Sequence, residues 1–188
     1  MKKRDNRGLL WSFVVMFFVL LIDQVFKIWV KTNMTLGQEI PVLGKWFKLL
    51  FIENEGMAFG WLGNGGVIKL ILSLFRIAAV VALFIIIFRL SKKDTQFGVL
   101  FGLSLITAGA MGNIIDCVFY GRIFSESTYN QVATLFPAGG GYANWLHGRV
   151  VDMFSFSIFP PIFNFADAAI TVGVFYMLIF QWKWLKTL

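Results

Sequence analysis

Apolar residues run along this chain in four long blocks, separated by segments rich in polar and turn-forming residues. The first block starts at Leu9 and keeps a helical pattern past Asp23, Lys27 and Trp29, so it reads as a span over Leu9–Val30. Val67–Phe88, Phe97–Tyr120 and Phe163–Trp182 form three more blocks. Each approaches the roughly 20 apolar residues needed to cross a hydrocarbon core. A basic start (Lys2, Lys3, Arg4, Arg7) before an apolar run also resembles a signal peptide. No small-x-small cleavage site follows, so the block reads as a retained span. The segment Lys31–Gly66 alternates apolar and polar residues around Ile40–Ile52, with turn residues at Pro41, Gly44 and Asn54–Gly56. That pattern predicts a small β platform lying on the membrane. The segment Gly121–Ile162 carries Pro137, Gly139–Gly141 and Pro160–Pro161, and reads mostly as loop.

A chain that is 58% hydrophobic and only 14% charged lacks the polar surface of a soluble domain. The net charge of +7 does not form a nucleic-acid-binding stripe. The cations stand beside apolar runs: at the N-terminus, at Arg89, Lys92 and Lys93, and at Lys183 and Lys186. The positive-inside rule then puts both termini and the turn after the second span in the cytoplasm, and residues 31–66 and 121–162 outside. Trp11, Trp29, Trp182 and Trp184 sit near span ends, where interfacial aromatics belong. A single cysteine, Cys117, excludes an intrachain disulfide and a cysteine metal site. The expectation is one all-α membrane domain over 1–188, with four transmembrane helices, an extracytoplasmic β platform and a loop-rich insertion.

Few polar residues interrupt the spans, and they fall near the outer side. Asp23 and Lys27 are spaced i,i+4, so they share a helix face. Asn113 and Asp116 are spaced i,i+3 near the outer end of the third span, and Asn164 and Asp167 repeat that spacing at the start of the fourth. Asp152 precedes the fourth span across a short apolar stretch. Ionisable groups in lipid cost several kcal/mol unless paired or hydrated, so four acids at one level point to a shared polar pocket. Asp23–Lys27 fits either a structural ion pair or part of a site, and Asn113 and Asn164 fit either helix association or a site. Asp152 and Asp167 are harder to assign to packing, although Arg149 stands near Asp152. Two close carboxylates share one proton, so one can activate water while the other donates a proton. The small residues Gly109, Ala110 and Gly112 allow another helix to approach closely.

Five motifs in order carry a resemblance: Asp23-Gln24-Val25-Phe26-Lys27, Asn54-Glu55-Gly56-Met57-Ala58-Phe59-Gly60, Gly109 to Asp116, Gly148-Arg149-Val150-Val151-Asp152, and Phe163-Asn164-Phe165-Ala166-Asp167. The chain resembles the lipoprotein signal peptidase (signal peptidase II) family over nearly its whole length. The resemblance implies a metal-free, cofactor-free aspartic endopeptidase of the bacterial inner membrane, with its active site facing outward. It would cleave diacylglyceryl-modified prolipoproteins just before the lipidated cysteine, in contact with membrane lipids, and globomycin would inhibit it. The family's catalytic pair maps onto Asp152 and Asp167. Its supporting residues map onto Asp23, Lys27, Asn54, Asn113, Asp116 and Asn164. The glycine-rich stretch with Gly56, Ala58 and Gly60 would lie over the substrate backbone, with Asn54 beside it.

Three positions depart from the family pattern. Asp116 is followed by Cys117 where arginine is usual, which suggests that Arg76 or Arg122 supplies the missing charge. Cys117 itself reads as a small buried residue. Met153 replaces a usual phenylalanine, a packing change. Ile123–His147 is an insertion that reads as an outer flap or a plain loop, and His147 at its end reads as structural. The alternative functions are a proton- or ion-coupled transporter using Asp23, Asp116 and Asp167 as a relay, and a structural membrane subunit. Neither accounts for the Asn54–Gly60 motif outside the spans.

Overall fold

The computed structural model describes residues 7–54, 66–93 and 95–187. Among the described residues, six α-helices occur in chain order: α1 (Arg7–Asn33), α2 (Gly66–Ser91), α3 (Phe97–Ile115), α4 (Gly121–Ile123), α5 (Phe165–Phe180) and α6 (Trp182–Leu185). Four strands, β1 (Glu39–Leu43), β2 (Phe47–Asn54), β3 (Val150–Phe156) and β4 (Phe159–Phe163), form one antiparallel sheet in the order β1-β2-β3-β4. Among the described residues, three helical stretches are long and apolar enough to cross a membrane: Arg7–Asn33, Leu70–Ser91 and Phe97–Ile123. Much of their apolar surface is exposed, as at Phe17, Ile71, Phe75 and Val81. That is the surface expected of helices solvated by hydrocarbon rather than water.

The fourth predicted span begins later than its apolar block suggested. Phe163 belongs to β4, and α5 starts only at Phe165. Its 16 residues reach about 24 Å, short of a hydrocarbon core of about 30 Å. The helix breaks at Gln181 and resumes as α6. Residues 124–149 are largely loop, as expected, but the loop reading is corrected at 150–163, a β-hairpin completing the platform. Pro160 and Pro161 suggested loop, yet they lie in β4, which among the described residues pairs only with β3. An edge strand tolerates the missing N–H groups.

The chain divides into two compact units. One comprises the chain up to Ile22, Ile77–Gly112 and the chain from Phe165 onward; the other comprises Asp23–Arg76 and Asn113–Asn164. The first unit is helical, with a core that includes Met16, Val19, Ile87, Leu100, Leu103 and Met177. There α3 and α5 meet through glycine. A Cβ at Gly109 would lie 2.3 Å from the Ala166 carbonyl oxygen, and one at Gly102 would lie 2.6 Å from Met177 Sδ. Small residues permit this backbone approach without a hydrophobic driving force.

The second unit holds the sheet and a core around Val30, Met34, Phe51, Tyr120, Phe124 and Met153. Register decides which side chains share a face of the sheet. Leu49 pairs with Phe154 but Ile52 pairs with Asp152, so β2 takes three residues where β3 takes two. That extra residue is a bulge, which re-aims the side chains after it. As a result Asn54 and Asp152 fall on the same face as Phe47, Phe154 and Phe156, while Glu53 and Val151 face the other way. Phe47 stacks on Phe156, and Phe156 stacks on Phe163, so the face carrying Asp152 also carries an aromatic cluster.

After Ile115 the helix widens into a π-helical turn over Asp116–Tyr120, a distortion common at functional sites. The insertion then returns along the end of this helix. Leu146 donates to the Val118 carbonyl, Gly148 to that of Cys117 and Ala143 to that of Gly121. These bonds satisfy carbonyls that a helix end leaves open. The insertion is therefore tied structure rather than a free loop.

Candidate active site

Lys27 sits in the penultimate turn of α1 and is fully buried. Its Nζ lies 3.0 Å from Asp23 Oδ2, 2.8 Å from Asp116 Oδ2 and 2.8 Å from Asn113 Oδ1. A buried ammonium has three hydrogens to place, and these three oxygens are its described partners. Gln24 stands beside it, donating from Nε2 to Asp23 Oδ2 and Asp116 Oδ1 at 3.1 Å each, and accepting from Tyr120 Oη at 3.1 Å. Both buried carboxylates are thus held by one cation and one amide, which offsets the cost of keeping them out of water.

The network continues to Asp152. Asn164 Nδ2 donates to Asn113 Oδ1 at 3.1 Å and to Asp152 Oδ1 at 2.7 Å. Asn54 Nδ2 donates to Asp152 Oδ2 at 3.3 Å. The Val151 N–H donates to Asp116 Oδ2 at 3.2 Å, which ties the backbone next to Asp152 to the widened turn. Asp152 is 4% exposed, and each of its oxygens accepts an amide hydrogen bond. Such bonds orient a carboxylate.

A second polar cluster lies behind it, on the Glu53 side of the sheet. Glu53 accepts an ion-paired hydrogen bond from Lys31, one from Ser127 Oγ at 2.9 Å and one from Arg149 Nη1 at 3.2 Å. Lys31 also donates to Ser127 Oγ at 2.9 Å, and Arg149 reaches Glu126 at 3.4 Å. Tyr142 lies under both cations, 4.9 Å from Lys31 Nζ and 5.2 Å from Arg149 Cζ, and its Oη accepts the Arg149 backbone N–H at 2.8 Å. Burial pushes the Tyr142 phenol above its ordinary range. Burial alone would lower the Arg149 guanidinium, but its hydrogen bond and charge pairing with Glu53 raise it overall.

Seven of the residues singled out from the sequence therefore share one hydrogen-bonded network: Asp23, Lys27, Asn54, Asn113, Asp116, Asp152 and Asn164. Asp167 lies in the other unit, half-buried in the first turn of α5, where its backbone oxygen accepts the Thr171 hydroxyl. Gly56, with Ala58 and Gly60, lies outside the described residues. The proposal that Arg76 or Arg122 neutralises Asp116 is corrected: Lys27 is the cation there. Arg76 Nη1 instead reaches Cys117 Sγ at 3.9 Å, and Arg122 lies over the Trp145 ring. Arg149 bonds Glu53 and Glu126 instead of partnering Asp152. Cys117 is buried, and His147 bonds the Trp145 carbonyl through Nδ1. Sequence reading missed Lys31, Glu53, Ser127 and Tyr142. The one available signal was Lys31 itself, four residues beyond Lys27 and so on the same helical face if the helix runs on past Val30.

Long apolar helices with a buried network of acids, amides and one lysine define a membrane protein organised around a polar site. Comparison with known proteins narrows the class. The family described as signal peptidase (SPase) II matches residues 15–183. The lipoprotein signal peptidase of Porphyromonas gingivalis is 47% identical, over 86% of this chain and 78% of its own. That of Anoxybacillus flavithermus is 35% identical over 94% and 88% respectively. A solved structure described as a bacterial membrane enzyme superimposes with a TM-score of 0.64 at 27% identity, covering 90% of this chain and 91% of that one. The chain belongs to the signal peptidase II family.

Proposed function

We propose that this chain is a lipoprotein signal peptidase of the bacterial inner membrane, an aspartic endopeptidase acting on diacylglyceryl-modified prolipoproteins. The observation that carries the reading is the family match along nearly the whole chain, together with relatives of that name at up to 47% identity among those compared. Family membership also sets aside the transporter and structural-subunit readings. In this proposal the chain crosses the membrane four times, with α5 and α6 together making the last crossing. Both termini are cytoplasmic and the sheet lies at the outer face.

The catalytic pair in this reading is Asp152 and Asp167. One carboxylate takes a proton from water as the water oxygen attacks the carbonyl before the lipidated cysteine. The other gives its proton to the departing amide nitrogen as the C–N bond breaks, and the products are a free carboxyl and a free amine. Asn54 and Asn164 support this role for Asp152 because their amides orient its two oxygens. The aromatic face that carries Asp152 suits a substrate bearing acyl chains and an apolar signal helix. Gly56 and its neighbours would cover the substrate backbone, and globomycin-type inhibitors would occupy the same site.

The test is incubation of the purified protein with a prolipoprotein in lipidated and unlipidated forms. Cleavage of the lipidated form alone is expected, blocked by globomycin and lost in Asp152→Asn and Asp167→Asn. A wild-type protein that cleaves neither form refutes the function. Either variant cleaving at the wild-type rate refutes the pair.

A further inference from the structure

The buried cluster around Glu53 has no part in the chemistry above, yet it sits directly behind it. Glu53 is adjacent to Asn54 in β2, and Arg149 lies just before β3, three residues before Asp152. Asn54 pairs with Val150 and Glu53 with Val151, so this is the last registered stretch of the β2–β3 ladder. On one face, Asn54 reaches across to Asp152. On the opposite face, Glu53 reaches across to Arg149. The two cross-strand bonds grip the same strand ends from both sides.

The grip matters because of the bulge between Leu49 and Ile52. Beyond it, a slip of one residue would turn Asn54 away from Asp152 and bring Glu53 to the aromatic face. Glu53 resists that slip because its carboxylate is 3% exposed and bonded to two cations. Leaving it unbonded in such a place costs far more than a surface pair would. The insertion completes the arrangement. Ser127 bridges Lys31 and Glu53, Glu126 takes the second contact of Arg149, and Tyr142 lies under both cations. Two backbone bonds anchor the insertion to the end of α1, from Ala133 to the Lys31 carbonyl and from Leu36 to the Thr128 carbonyl.

We propose that Glu53 is a positioning residue for the hydrolysis, locking the β2–β3 register so that Asn54 meets Asp152, and that the 123–147 insertion exists in this chain to close the lock through Ser127 and Tyr142. The inference rests on Asp152 being catalytic, as proposed above. It assigns a role to Glu53, Lys31 and an insertion that the five family motifs leave out.

A double-mutant cycle on purified protein with the lipidated prolipoprotein tests it. Glu53→Gln keeps the shape and removes the charge; it should lower kcat about tenfold with KM within about twofold, since it disturbs a group used in the reaction more than in binding. In an Asn54→Ala background the same change should cost less than about twofold, because the residue it positions is gone. Ser127→Ala, a milder change, should lower kcat in the same direction and decides the matter if Glu53→Gln does not fold. Equal losses in both backgrounds, or wild-type kcat in both Glu53→Gln and Ser127→Ala, overturn the proposal. Backbone hydrogen exchange over residues 47–54 and 150–156 gives a reading independent of activity. Glu53→Gln should accelerate exchange there, and unchanged protection overturns the lock even if the wild type proves inactive on this substrate.

Discussion

Replacing Lys27 with methionine keeps nearly the same length and volume and removes one charge. Lys27 is fully buried, and its ammonium is bonded to Asp23, Asp116 and Asn113 at 2.8 to 3.0 Å. The substitution leaves two buried carboxylates facing an apolar chain and costs the Asn113 oxygen one of its donors. Breaking a buried pair from one side costs about 3–5 kcal/mol. Gln24 bonds both carboxylates already and softens the loss, so about 3 kcal/mol is the working figure. For a chain of this size that corresponds to a fall in Tm of about 6–12 °C. The comparison is internal: Lys48–Glu39 is a 2.6 Å pair whose side chains are 36% and 49% exposed. Lys48→Met should cost under about 1 kcal/mol despite the short distance, because water screens and replaces the pair. Thermal unfolding in detergent, followed by tryptophan fluorescence, measures both. Adding Asp116→Asn to Lys27→Met should recover part of the loss, since it removes one stranded charge. If Lys27→Met loses no more than Lys48→Met, burial is not what gives these contacts their weight and the reasoning is wrong.

Three further changes probe neighbouring contacts. Gly148→Ala would place a Cβ 2.0 Å from the Asp116 carbonyl oxygen, a backbone atom with little room to retreat; it should cost about 1–3 kcal/mol, read as a lower Tm. Asn164→Leu preserves volume but removes the donor shared by Asn113 and Asp152; kcat should fall about a hundredfold with KM little changed, in steady-state assays on the lipidated substrate. Tyr142→Phe strands the Arg149 backbone N–H that now bonds the phenol at 2.8 Å; it should cost about 1 kcal/mol, or about 2–4 °C in Tm.

The long spans and the positions of the polar residues were legible because each rests on a local pattern. A run of apolar residues or an Asn-x-x-Asp spacing is visible within a few positions. The sheet was half legible. β1 and β2 alternate and are flanked by turn residues, but β3 has four consecutive buried residues, Val150 to Met153, and β4 contains two prolines. Burial on both faces removes the alternation by which a strand is recognised. Its edge position, which makes the prolines harmless, is a tertiary fact. The partner of Asp116 was misread for a similar reason. The search for a cation started from the residue beside it, at Cys117, whereas Lys27 comes from a helix almost ninety positions earlier. Nothing local joins Lys31 to Glu53 or Ser127 either, so that cluster was invisible until the chain folded.

Charge pairing organises several of the acids in the second unit. Lys27 is committed to Asp23 and Asp116, while Lys31 and Arg149 converge on Glu53, with Glu126 completing the set. Each of these acids has a cation within bonding distance, and the energetic reason is common to all: an ionised carboxylate out of water needs an opposite charge. Asp152 accepts hydrogen bonds from the amides of Asn54 and Asn164. An ammonium in place of either amide would favour the charged form of the carboxylate and oppose its taking a proton. In the proposed mechanism Asp152 exchanges a proton in each turnover, and an amide donor opposes that less than a cation does. Arg149, near Asp152 in the sequence, is turned to the opposite face of the sheet, where it bonds Glu53 and Glu126. Exchanging Asn164 for lysine tests this division of labour. The added charge should raise thermal stability or leave it unchanged while abolishing turnover. A lysine variant that keeps full activity would show that an amide at position 164 is not needed.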